Sequence, residues 1–124
     1  MAASNFAAIS ALDEAADNLH DKGHYARAAE KRGAAVAAAQ ALGHADCLIT
    51  ARLQADEADS WFAHAVAPGV TEADTKAAFA RAMPVLGAAI STVERRRTAG
   101  TLLVGACRPL EEAWYAASWS AKEP

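Results

Sequence analysis

The sequence predicts an all-α protein, an antiparallel stack of about five helices, and three observations carry that expectation. Apolar residues recur at helical spacing along nearly the whole chain, and no segment alternates with period two. Hydrophobic types reach 53%, yet alanine dominates them, and alanine is the strongest helix former while burying little area. Glycine and proline fall between the periodic segments, at Gly23, Gly43 and Pro68-Gly69. A chain of 124 residues makes one domain. It divides into a helical hairpin over 1–43, two long helices over 44–100, and a connector with a terminal aromatic helix over 101–124.

The first helix is expected from about Ser4 to Asp21, with Phe6, Ile9, Leu12, Ala16 and Leu19 on one face, and Gly23 suits its left-handed C-terminal cap. The second runs from about His24 to Leu42, with Tyr25, Ala28, Arg32, Val36 and Ala39 recurring on one side. The third runs from about Ala45 to Ala67, its inner stripe read as Leu48, Ala51, Ala55, Ala58, Phe62 and Ala65. Thr71, with an acidic residue three positions on at Asp74, marks the start of the fourth. Pro84 lies inside that helix and removes one backbone hydrogen bond. Phe79, Met83, Leu86, Ile90 and Val93 nevertheless keep one helical phase through it, which predicts a single kinked helix ending near Ala99-Gly100. The stretch from Thr101 to Pro109 is a connector with the makings of a short strand. Pro109, followed by Glu111 and Glu112, opens a last helix to about Ser118.

The formal charge of −3 and pI near 5.7 argue against a nucleic-acid binder, which needs a basic field. The one basic run, Arg95-Arg96-Arg97, reads as a solvated helix end that favours the C-terminal dipole. No apolar run approaches the roughly 18 residues a membrane span needs. The N-terminus has no basic region of a secretory or transit signal. Cys47 and Cys107 show no paired-motif spacing, so a disulfide framework is not expected and a reducing compartment, the cytoplasm, is the default.

The stretch "ADNLHDKGHYARAAEKRGAAVAAAQALG" resembles a tetratricopeptide (TPR) helix pair. The landmarks are Leu19 late in the first helix, the turn glycine Gly23, the aromatic Tyr25, and the small residues Ala28 and Ala35. The resemblance implies that the alanine-rich second helix is pressed between neighbours, with small residues allowing close approach. It covers about one repeat. No proline closes that repeat, and Glu57 stands where the next turn glycine would fall, so TPR-like is the fitting term. More loosely, "ARAAEKRGAAVAAAQALGHADCLI" and "ERRRTAGTLLVGACRP" look like alanine-rich TPR-like proteins of microalgae. Some of those carry MYND-type zinc fingers, whose cysteines this chain lacks.

No catalytic, cofactor or metal site emerges. His20 and His24 are four apart, but Gly23 breaks the helix between them. Asp17 and His20 form half of a di-iron carboxylate pattern with no second half. His44, Asp46 and Cys47 cluster at a helix start, where the cysteine reads as a small buried hydrophobe and the aspartate as a cap. His64 stands alone. The expected function is therefore a non-enzymatic protein interaction module that holds a peptide or partner protein. The alternatives are a structural subunit of a larger assembly and, more remotely, a small enzyme or metal protein. In TPR-like folds the first helix lines the concave surface. The matching positions are Ser10, Asp13, Asp17, His20 and Asp21, an acidic stripe suited to a basic peptide. Tyr115 and Trp119 form a second candidate surface, an exposed aromatic pair on the terminal helix that contacts a partner or a second copy.

Overall fold

The structure, a computed structural model, describes residues 2–43 and 47–99, with side chains over 7–43 and 47–97. Within these residues there are four helices and no strand: α1 (Ala2–Asp21), α2 (Tyr25–Ala41), α3 (Leu48–Ala65) and α4 (Glu72–Ala99). The expected fifth helix, the 101–109 connector and the side chain of Phe6 lie outside the described residues.

The helix ends follow from local chemistry. Gly23 adopts φ +84°, and the two hydrogen bonds that close α1 run from Gly23 N–H to the His20 carbonyl and from His24 N–H to the Leu19 carbonyl. This is the paired closure a left-handed residue permits, and it satisfies carbonyls that would otherwise be orphaned. Gly43 and Gly69 take the same backbone conformation after α2 and α3. At the start of α4 the Thr71 hydroxyl accepts from Asp74 N–H at 3.1 Å, as the sequence predicts. The Thr75 hydroxyl donates to the Ala65 carbonyl, tying the start of α4 to the end of α3. α4 then continues without interruption through Pro84.

Each helix packs against its predecessor in the chain, α1 on α2, α2 on α3 and α3 on α4. Two apolar clusters result. One joins Ile9 and Leu12 of α1, Val36 and Ala39 of α2, and Ile49 and Leu53 of α3. The other joins Ala29 of α2, Ala58, Trp61 and Ala65 of α3, and Ala78 and Ala82 of α4. α2, lying between α1 and α3, buries Ala28, Ala29, Arg32, Ala35, Val36 and Ala39.

Two expected faces need correction. On α3, Leu48 and Ala55 are exposed, while Ile49, Leu53 and Trp61 are buried, so the inward face is broader than the stripe read from sequence and rotated from it. On α4 the bulky stripe is largely on the outside: Phe79, Val93, Met83 (57% exposed) and Ile90 (54%) face solvent. The inward face is one residue earlier, through Ala78, Ala82, Ala89 and Thr92, with Val85 and Leu86 partly covered. The reason is geometric. Small residues let two helix backbones approach closely, and α3 offers Ala51, Ala58 and Ala65 to meet them. Close approach along an alanine seam excludes the larger side chains to its flank.

Candidate functional site

Two features stand out, one inside the stack and one on its surface. The first centres on Arg32, which projects from the inward face of α2 and is only 6% exposed. A guanidinium has five donors in a fixed fork and cannot lose its charge, so burial requires anionic partners. Arg32 finds them on both neighbouring helices. Its terminal nitrogens reach Asp13 at 3.3 Å and Asp17 at 3.0 Å on α1, and Asp56 at 3.8 Å on α3. Its Nε donates to the Ser60 hydroxyl at 3.1 Å. Ser60 in turn lies 3.0 Å from His20 Nδ1, and the His20 ring sits edge-on to Tyr25 at 4.8 Å between centroids. No buried side-chain nitrogen or oxygen among the described residues lacks a hydrogen-bond partner.

Three carboxylates around one guanidinium leave an excess of negative charge. Asp13 is pushed up to about 6, first by burial and then by the neighbouring Asp17 carboxylate, with Arg32 opposing. Asp56 is also raised by burial, against the pull of Arg32 and Arg52. Glu57 is raised by burial and held back by a hydrogen bond with Trp61. The Glu57 carboxylate also lies where a side chain on Gly33 would press, at 3.3 Å from a Cβ built there.

The acidic stripe expected on α1 is therefore shared between two environments. Asp13, Asp17 and His20 are brought together with Arg32, Asp56 and Ser60 in a network bridging three helices, and Asp21 remains exposed beyond it. No motif in the sequence alone singles out Arg32, Asp56 or Ser60 as functional residues. A signal for them exists: an arginine on the inward stripe of an alanine helix needs carboxylates, and Asp13 and Asp17 lie one turn apart on the preceding helix.

The second feature is an open groove of about 530 Å³ between α3 and α4. Leu48, Ala51 and Ala55 line one side and Leu86, Ala89, Ile90 and Val93 the other, with the exposed Arg52, Glu94 and Arg97 adding charge. The bulky stripe displaced from the α3 contact forms much of its wall.

Cys47 sits buried at the cap position before α3, immediately before Leu48. It is disulfide-bonded, contrary to the sequence expectation, so the cysteine count no longer argues for a reducing compartment. A disulfide sulfur is also not the thiolate that nucleophilic chemistry requires. His44, Asp46, Tyr115 and Trp119 lie outside the described residues. Among the described residues, no group of three or more His, Cys, Asp or Glu could hold a metal ion. No described helix is long and apolar enough to cross a membrane. The chain matches no protein-family model, no curated protein and no solved structure.

Proposed function

We propose that the protein is a non-enzymatic interaction module of TPR-like build, and that its working end is the α3–α4 end of the stack. The observation that carries this reading is the outward stripe of α4. Ile90 and Val93 are held at the surface in the wall of an apolar groove, and Met83 is exposed further along the same helix, although an alanine seam already completes the α3–α4 contact. Contiguous exposed apolar surface of this kind marks contact with another helix or protein. A kink at Pro84 belongs to the same reading, since the missing N–H leaves the Ala80 carbonyl without its intrahelical partner. So does a fifth helix over 109–118 that presents Tyr115, with Trp119 just past its end, at this end of the stack.

The acidic stripe is the second candidate surface, and Asp21 is its most available member. Asp13 and Asp17 already serve Arg32, so a basic peptide would have to compete with a guanidinium held in place by the fold. This favours the α3–α4 end.

The test is capture of partners from the source cell by four proteins: wild type, Ile90→Ser/Val93→Ser, Tyr115→Ser/Trp119→Ser and Asp21→Ala. A partner retained by wild type and lost with either surface variant supports the reading. A partner lost instead with Asp21→Ala, and retained by both others, moves the working surface to α1.

A further inference from the structure

The groove between α3 and α4 has an apolar floor long enough for one short helix, and the chain carries a matching segment. We infer that residues 109–118 of the same chain form a helix that docks into this groove, turning Leu110 and Trp114 inward and Tyr115, with Trp119 just past the helix end, outward. The inference rests on the reading of the α3–α4 end as a surface that receives a helix, and it names the occupant.

Four observations converge on that segment. First, connectivity brings it there. α4 runs antiparallel to α3, so Val93 and Arg97 near its end share the groove lining with Leu48 at the start of α3. The chain leaves α4 beside the groove's mouth. Second, Cys47 is disulfide-bonded and the chain has one other cysteine, Cys107. A bond between them would hold their Cα atoms within about 7 Å of each other. Such a bond would bring position 107 next to Leu48, two residues before Pro109. The link from Ala99 to Cys107 can span about 26 Å, ample for a return to the adjacent helix start.

Third, dimensions agree. A ten-residue helix is about 15 Å long, and the stretch of α4 from Leu86 to Arg97 that lines the groove is of similar length. Fourth, the chemistry is complementary. Leu110, Trp114 and Ala117 share one helical stripe, which suits Leu48, Ile90 and Val93. Glu111 flanks that stripe, and the lining brings Arg52 and Arg97 as well as Glu94. A docked Trp114 could bury on the order of 150–250 Å², the kind of cover the outward side chains of α4 lack.

This arrangement has a functional consequence. The groove becomes an internal docking site, and what the module shows a partner is the outer face of the docked helix. A tethered helix also acts at high effective concentration, so an outside helix must outcompete it to reach the groove.

Hydrogen exchange on the full-length chain tests the proposal, using wild type, Leu110→Ser/Trp114→Ser, Ile90→Ser/Val93→Ser and Tyr115→Ser/Trp119→Ser. Ile90 and Val93 are exposed on α4, so their replacement leaves the four-helix stack folded, which far-UV circular dichroism checks. Amides of 113–118, which have acceptors within the helix, should be protected about tenfold or more in wild type. Both inward variants should remove that protection, and the Tyr115/Trp119 variant should keep it. Sedimentation should report a monomer. Protection that survives Ile90→Ser/Val93→Ser overturns the proposal. So does exchange of 109–118 at the free-chain rate in wild type, or protection that vanishes on dilution of a dimer, which makes a second copy the occupant. Partner capture that depends on Ile90 and Val93 while 109–118 exchanges freely sinks self-docking alone and leaves the helix-receiving surface standing.

Discussion

α2 and α4 are both alanine-rich helices, yet they end in opposite situations. α2 packs against both α1 and α3, and its buried set of Ala28, Ala29, Arg32, Ala35, Val36 and Ala39 forms one face spanning roughly a third of its circumference. α4 is pressed from one side through Ala78, Ala82, Ala89 and Thr92, and it carries its bulk outward. Small residues on a helix in this protein mark the neighbour already present. Large residues on α4 mark room for one more. The two helices also differ in polar content. Arg32 gives α2 an ionic link to both neighbours, whereas the buried polar link of α4 is a neutral one, the Thr92 hydroxyl donating to Gln54 at 3.2 Å.

Arg32 is the position at which a substitution should cost most. Arg32→Leu leaves Asp13, Asp17 and Asp56 around an uncompensated site, and the expected loss is about 3 kcal/mol, the lower end for a broken buried pair because Asp17 and Asp56 reach solvent. Urea unfolding at pH 7.5 measures it. Next in size is Ala82→Leu, which overpacks the α3–α4 seam at a fully buried position and should cost about 1–3 kcal/mol. Ala28→Leu should behave alike in α2, while the exposed Lys31→Leu and Met83→Ser should change stability by less than about 0.5 kcal/mol. Equal effects at Ala82 and Met83 would show that the alanine seam is not the packing face.

A smaller effect tests the charge excess. The folded-state value of Asp13 is raised from 3.8 to about 6, so the folded protein binds a proton more readily than the unfolded chain. The resulting stabilisation is fully present below pH 3.8 and is lost as pH rises through about 6. Asp56 and Glu57 shift in the same direction. The urea midpoint should therefore rise between pH 7 and pH 4.5, by the equivalent of about 1–2 kcal/mol. Asp13→Asn should flatten that slope and match or exceed wild-type stability at pH 7.5. The smallest expected effect is that of a chelator, which should leave the melting temperature unchanged.

The helical pattern, its order and its stops were legible in the chain because glycine and capping chemistry are local. Gly23 and Thr71 do in the fold what their types and positions announce. The face of α4 was harder to read. Hydrophobicity ranks Phe79, Met83 and Ile90 above Ala78 and Ala82, but packing distance reverses that order where two alanine surfaces meet. In the α1 network, Asp13, Asp17 and His20 were recognisable as a group. Their meeting with Arg32 and Ser60 depends on how α1, α2 and α3 pack, and spacing within one helix cannot carry that. The disulfide at Cys47 was illegible for a related reason, since cysteines far apart in sequence have no local signature.

The succession of contacts, each helix against the one before it, also governs how quickly the protein forms. Among the described residues the helix pairings join segments adjacent in the chain, so no long loop must close before those contacts reward it. Such topologies have low contact order and fold on the order of microseconds to milliseconds. Arg32 introduces the exception, because its carboxylates come from the helices on either side and both must arrive before its charge is matched.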